Sequence, residues 1–314
     1  MNQSLITRRT FLAAATTSAL WPICQTSYAS QIEVAKQERK FDDLRANLLE
    51  LVNEERVVDR LSVLEMDDFA TGVATAHAED MATGAFASHW GRNGLKPYQR
   101  YSFAGRHHAI EENVSAADNT WSMKPEDLKQ DTSYLHVRLY QEKPPNDGHR
   151  RTILASQHTH VGFGIAIDKL RLRVVELYVA KYVEFAPLKQ TALPKAIVSL
   201  SGRLLNPSHS LSTIEVHYEP LPSPPTMEWL RQSRSYSLPE ELRVLRPKLP
   251  PPYIYADRKP GTIMIGQSGD FFVPITLFKD SPGIYTIVCW VRTKPNSKAF
   301  PATQLCIRAE GVTA

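Results

Sequence analysis

Val161-Gly162-Phe163-Gly164-Ile165-Ala166-Ile167, followed after Asp168-Lys169 by the apolar run from Leu172 to Tyr182, decides the fold class. Both runs are short and rich in apolar residues, so they read as β-strands joined by a turn at the polar pair. Upstream the period changes. Leu44, Leu48, Leu51, Val52 and Arg56 recur at helical spacing, and a second helical pattern runs from Asp67 through Val73, Ala76, His77 and Met81. Two helices ahead of strands give this half of the chain a mixed α/β layout.

Downstream the composition shifts. Of 22 prolines, one lies in the first 29 residues, four lie between residues 30 and 186, and 17 lie from Pro187 onward. The apolar runs beyond Pro187 are short and β-rich: Ala196 to Leu200, Ser212 to Tyr218, Thr262 to Ile265, Asp270 to Leu277 and Ile284 to Val291. Turns such as Pro220-Leu221-Pro222-Ser223-Pro224-Pro225 interrupt them. The expected organisation is an α/β domain over residues 40–187 and a smaller all-β domain over 195–312, a β-sandwich of immunoglobulin-like architecture. An irregular β-rich extension packed against the first domain is the alternative.

A length of 314 residues suits two domains, and 42% hydrophobic with 22% charged residues is the composition of a globular chain. The net charge of +4 falls short of the concentrated basic field that phosphate backbones require, which argues against a nucleic-acid binder. The first 29 residues hold no acidic side chain and carry Arg8 and Arg9 ahead of an apolar run ending in Ser27-Tyr28-Ala29. Thr7-Arg8-Arg9-Thr10-Phe11-Leu12 resembles a twin-arginine export signal, so residues 1–29 are expected to be a signal peptide cleaved after Ala29, taking Cys24 with it. No later stretch has the 18 or so uninterrupted apolar residues that span a bilayer, and the mature chain is expected to be periplasmic or secreted. Cys289 and Cys306 remain, an even number in an oxidising compartment. Both sit in strand-like runs, so a disulfide between neighbouring strands is expected, with two buried thiols as the alternative.

The first domain carries several motifs in order: Asn53-Glu54-Glu55-Arg56, Ala76-His77-Ala78-Glu79-Asp80-Met81, Ser88-His89, Glu111-Glu112-Asn113-Val114, Gly148-His149-Arg150-Arg151-Thr152-Ile153-Leu154 and Val161-Gly162-Phe163-Gly164. Over residues 44–186 this order and spacing resemble the CAP superfamily, which groups cysteine-rich secretory, antigen-five and pathogenesis-related proteins. The bacterial members are the nearest in pattern. Glu112-Asn113-Val114 is similar to their GEN-type motif, and Gly148-His149-Arg150 to their GHR-x-x-I-L motif. Glu111 stands where the family usually has glycine, and the domain lacks the family's disulfides.

The resemblance implies an α/β/α sandwich with a cleft lined by two histidines and two glutamates. It places the histidines at His89 and His149 and the first glutamate at Glu112. Glu142 is the choice for the second, since Leu139-Tyr140-Gln141-Glu142 keeps the family's spacing without its tryptophan. Two neutral imidazoles with carboxylates suit a divalent ion such as zinc, with His89, His149 and Glu112 as the metal ligands and Glu112 and Glu142 as ligand-binding residues. The same groups could serve general acid/base chemistry, or form a polar network joining two layers. No GxSxG, HExxH or active-site cysteine motif names a nucleophile.

Other conspicuous residues have plainer expected roles. His77 is expected to pack on a helix face, and His107, His108, His158 and His160 to lie on the surface. Arg150 and Arg151 are expected to pair with Asp147 and other local acids, and Trp121 to anchor its loop. Two function classes follow. One is an exported binding module whose cleft takes a metal ion or small ligand while the β-domain attaches to an extracytoplasmic protein or polymer. The other is an extracytoplasmic hydrolase in which the His/Glu cluster activates water.

Overall fold

A computed structural model of the chain describes residues 28–119 and 124–311, with side chains from residue 41 onward. The export motif, Cys24 and Trp121 lie outside these residues. The chain divides into two units between residues 39 and 40, and apart from the start of the first helix everything below concerns the second.

The N-terminal part consists of α1 (Tyr28–Val58), β1 (Glu65–Met66), α2 (Asp68–Gly84), α3 (Pro97–Phe103), β2 (Ala109–Asp118), α4 (Pro125–Tyr140), α5 (Gly148–Ile153), β3 (His160–Asp168) and β4 (Arg171–Ala180). The strands form one sheet in the order β1-β3-β4-β2. Asp67 caps α2 by accepting the Ala70 N–H at 2.6 Å, and Ala85 closes its other end in a left-handed conformation.

Alternation along β3 and β4 separates two cores. Val161, Phe163, Ile165, Val174 and Tyr178 face Leu44, Leu48 and Val52 of α1, Leu128, Leu135 and Leu139 of α4, and Ile153 of α5. Val175, Leu177 and Val179 face Ala70, Ala74, Ala78 and Met81 of α2. The alanine face lets α2 lie directly on the sheet, and the glycines of the opening motif complete the approach. A Cβ on Gly162 would sit 2.3 Å from the Thr71 nitrogen, and one on Gly164 would sit 2.1 Å from the Ala74 carbonyl carbon. The result is a three-layer α/β/α arrangement.

The C-terminal part contains β5 (Val183–Phe185), β6 (Thr191–Ala192), β7 (Ile197–Leu204), β8 (Ser210–Pro220), α6 (Met227–Leu230), β9 (Leu242–Leu245), β10 (Met264–Ile265), β11 (Asp270–Thr276), β12 (Gly283–Arg292), β13 (Phe300–Pro301) and β14 (Leu305–Ala309). They make a four-stranded sheet, β10-β11-β7-β5, and a second sheet, β6-β14-β12-β8-β9, with β13 on β12. Leu200, Phe271 and Val273 of the first share a core with Ile214, Val216, Tyr285 and Ile287 of the second.

Proline usage and architecture both change near Pro187, yet residues 40–314 form one compact unit. Strand β5 precedes Pro187 and already pairs with β7. Strand β12 is covered on both faces, which explains its apolar run broken only by Thr286: Tyr285, Ile287, Cys289 and Val291 face the other sheet, while Ile284 joins the core beneath α2 and α3. Cys306 lies in that same α2-side core.

The expected Cys289–Cys306 disulfide is therefore corrected. Both are free buried thiols. The register pairs Cys306 with Thr286, three positions from Cys289, and an odd offset sends the two sulfurs to opposite faces of the sheet. Among the described residues no helix is long and apolar enough to cross a membrane.

Candidate functional site

Strand β2 supplies the centre of the site. Register sets Glu112 opposite Leu177 and Asn113 opposite Glu176. Successive residues point to opposite faces, so Glu112 joins the α2 and α3 layer while Asn113 joins the α4 and α5 layer.

On the α2 side, both Glu112 carboxylate oxygens have a nitrogen partner. His89 Nδ1 lies 3.0 Å from Oε1, and Arg100 Nη2 lies 2.6 Å from Oε2. The Glu112 side chain is 1% exposed. Burial alone would raise its pKa, but Arg100, His77 and His89 outweigh that and hold it at about 2. Arg100 also donates to the His89 carbonyl at 2.6 Å, fixing the loop that carries the imidazole. His77 steadies the same loop from α2 through a 2.8 Å bond from Nε2 to the Ser88 carbonyl. Because that partner is a carbonyl, Nε2 carries the proton, and burial pushes the imidazole down to about 4.

This half of the site is covered by the C-terminal part. The Tyr236 ring packs edge-on to His89, with centroids 4.8 Å apart, and its hydroxyl oxygen accepts the Glu112 N–H at 3.0 Å. Trp229 packs on Trp90, and Leu230 is fully buried. Glu219 of β8 accepts from Lys96 at 2.8 Å, Tyr98 at 3.0 Å and Gln99 at 2.8 Å, tying α3 to the β-sheet.

On the other face, Glu142 follows α4 and His149 opens α5. Glu142 takes the His149 backbone N–H at 3.0 Å through Oε2 and the ring Nδ1 at 2.6 Å through Oε1. This pair is open: the His149 side chain is 34% exposed and that of Glu142 24%. Asn113 donates to the His149 carbonyl at 3.2 Å and to Glu176 at 3.3 Å. Behind it lies a second histidine cluster. His136 of α4, wholly buried, places Nδ1 2.7 Å from Glu176 and Nε2 2.9 Å from Glu55 of α1. Burial would lower the His136 pKa, but the two carboxylates raise it to about 10, so the imidazole is charged.

The metal set His89, His149 and Glu112 is not assembled. Among the described residues no three His, Cys, Asp or Glu side chains converge on a metal position. Both Glu112 oxygens are engaged, by His89 and Arg100, and Glu142 is engaged by His149. The carboxylates thus orient imidazoles through Nδ1, the part such groups play behind a metal-binding histidine, and leave only the two Nε2 atoms uncommitted. Three protein ligands, the usual number at a catalytic zinc, are not presented.

Arg100, Tyr236, His136 and Glu176 carry this arrangement and were not singled out by sequence reasoning. Glu176 inside an apolar strand and His136 among Thr132, Leu135 and Leu139 are polar interruptions of buried patterns, and those interruptions were the available signal. Arg100 and Tyr236 had none. His158, expected on the surface, is buried, stacked on Tyr178 and bonded through Nδ1 to the Thr152 carbonyl at 3.0 Å. His107, His108 and His160 are half-buried. Arg151 pairs with Asp147 at 3.2 Å and Arg150 with Asp59 at 3.4 Å.

Residues 49–182 match the profile of the cysteine-rich secretory protein family, CAP. This segment is a CAP domain. Solved structures similar to the chain include an extracellular protein containing an SCP domain from Bacillus anthracis, 19% identical over 45% of this chain and 41% of that one, with a TM-score of 0.34. An outer surface protein of Borrelia burgdorferi is 17% identical over 42% of this chain and 88% of its own, with a TM-score of 0.33. A cysteine-rich secretory protein of Staphylococcus aureus is 14% identical over 45% and 39%, with a TM-score of 0.29. The chain thus spans less than half the length of the first and third. No curated protein matches it.

Proposed function

We propose that the chain is an exported CAP-domain binding protein whose cleft takes a small ligand at the open His149–Glu142 pair. One observation carries this reading: the His89–Glu112 pair is covered by Tyr236 with both carboxylate oxygens engaged, whereas His149–Glu142 stands in contact with solvent. Glu142 on Nδ1 leaves Nε2 as the atom available to a ligand. A divalent ion is one such ligand, with His149 as donor and Glu142 as the carboxylate behind it.

The alternative is a hydrolase in which the same His149–Glu142 pair activates water. The β-region's part in partner attachment rests on the exposed apolar residues Ile197, Met264 and Ile265 of its four-stranded sheet. Zinc or cobalt titration of the protein and of His149→Ala tests the ion, and turnover of a generic peptide or ester tests the enzyme. Saturable uptake lost in His149→Ala without turnover supports the binding module; turnover lost in the same variant would replace it with the hydrolase.

A further inference from the structure

Away from both His–Glu pairs, the segment around loop 246–262, between β9 and β10, gathers exposed apolar side chains. Of the fifteen large hydrophobic residues that stand exposed among the described residues, six lie between positions 242 and 265: Leu242, Val244, Tyr253, Ile254, Met264 and Ile265. Ile254 at 75% and Tyr253 at 68% are the most open of the six, and they are neighbours on the loop. Single exposed apolar residues are ordinary on a protein surface, whereas a cluster marks a place of contact.

The loop is braced from within. Its base is closed by backbone bonds, the Lys248 N–H donating to the Ile263 carbonyl at 2.8 Å and the Thr262 N–H to the Arg246 carbonyl at 2.9 Å. Arg246 donates to both oxygens of Asp257, at 3.0 and 2.9 Å, and its guanidinium lies 4.1 Å from the centre of the Tyr255 ring. The Tyr255 hydroxyl donates to the Pro247 carbonyl at 2.8 Å. Tyr255 is thereby drawn in, while Tyr253 and Ile254 stay out.

Two features fix the chemistry of what this tip meets. Pro250, Pro251 and Pro252 have no N–H, and that of Tyr253 is bonded to the Pro250 carbonyl at 3.0 Å, so residues 250–253 carry no uncommitted backbone donor. A hydrocarbon layer cannot complete an open donor, which makes a donor-poor tip suited to lipid. The flanks are cationic: Lys248, Arg258 and Lys259 are exposed, and Asp257, the one acid of the loop, is engaged by Arg246. Three cations flanking an aromatic and an aliphatic side chain complement anionic headgroups, and a tyrosine hydroxyl is at home in the interfacial layer.

We propose that loop 246–262 is a membrane-docking loop, in which Tyr253 and Ile254 enter the interfacial layer of an anionic lipid bilayer while Lys248, Arg258 and Lys259 engage its headgroups. This gives the attachment role of the β-region a partner of stated chemistry. Vesicle binding is read separately from ion uptake at His149, so either reading can fail alone.

Sedimentation of the full chain with vesicles of phosphatidylglycerol and phosphatidylcholine, and with phosphatidylcholine alone, tests it. Binding is expected to the anionic vesicles and to be much weaker to the neutral ones. The double variant Tyr253→Ser with Ile254→Ser should weaken binding about tenfold or more, as expected when two large side chains no longer leave water. Each of Lys248→Gln, Arg258→Gln and Lys259→Gln should weaken it about fivefold. All five positions are exposed, so the variants keep the fold, which circular dichroism checks. The apolar run within residues 1–29 is common to every variant and cannot produce a difference between them. No sedimentation with anionic vesicles overturns the proposal, and the tip is then left to a protein surface. Undiminished binding by the double variant, or equal binding to neutral vesicles, also overturns it, because attachment would then not use the tip or its cations.

Discussion

Replacing His136 by alanine tests the buried cluster that underlies the open half of the site. The wild-type imidazole lies between Glu176 at 2.7 Å and Glu55 at 2.9 Å with no solvent exposure, and Glu176 is itself 1% exposed. Without it, Glu176 keeps only the Tyr178 hydroxyl at 2.9 Å and the Asn113 amide at 3.3 Å. Removing one partner of a buried ion pair costs about 3–5 kcal/mol. The pKa change gives the same order: a rise from 6.5 to about 10 corresponds to roughly 5 kcal/mol at about 1.4 kcal/mol per pH unit. Because the folded pKa is raised, this stability is fully present below about pH 6.5 and is lost as pH rises through about 10. Glu176 has the opposite sign: its pKa is lowered, since His136, Tyr178 and Asn113 outweigh burial, so its contribution is lost as acid protonates it. Urea unfolding of the full chain, followed by circular dichroism at pH 7 and at pH 9.5, should show the wild type weakening toward the higher pH and His136→Ala much less stable at pH 7 with a flatter profile. A variant within about 1 kcal/mol of wild type at pH 7, a typical value for a neutral hydrogen bond, would refute the charged triad.

Three further outcomes are expected. Gly162→Ala should lower stability by about 3 kcal/mol, measured by urea unfolding, because the new methyl meets the backbone of α2 rather than a side chain that can turn away. Tyr236→Ala should make His89 react several-fold faster with diethyl pyrocarbonate while His149, already open, is unchanged; equal His89 rates would show that residues 226–241 do not cover it. Cys289 and Cys306, whose thiols burial pushes up to about 12, should resist a thiol reagent in the folded protein and react after denaturation without prior reduction, whereas a requirement for reductant would restore the disulfide.

The β3–β4 hairpin, α2 and the α1 seam are legible because each buries one face, and a buried face leaves its period in the chain: every second residue in a strand, every third or fourth in a helix. The glycines at 162 and 164 were visible in the same way, although only the packed helix shows what they make room for. The resemblance to the CAP superfamily pointed to His89, Glu112, Glu142 and His149. What it could not express was their pairing. Alternation along β2 sends Glu112 and Asn113 to opposite faces, so that Glu112 meets His89 and Arg100 while Asn113 meets the His149 carbonyl and Glu176. The same parity separates Cys289 from Cys306. Arg100 and Tyr236 come from positions with no local pattern, 12 and 124 residues from Glu112, and only chain closure makes them its neighbours. Proline usage changes near Pro187, although β5 ahead of it already pairs with β7. Whether the two parts share a core depended on β12 being covered on both sides, and an apolar strand records burial without recording what buries it.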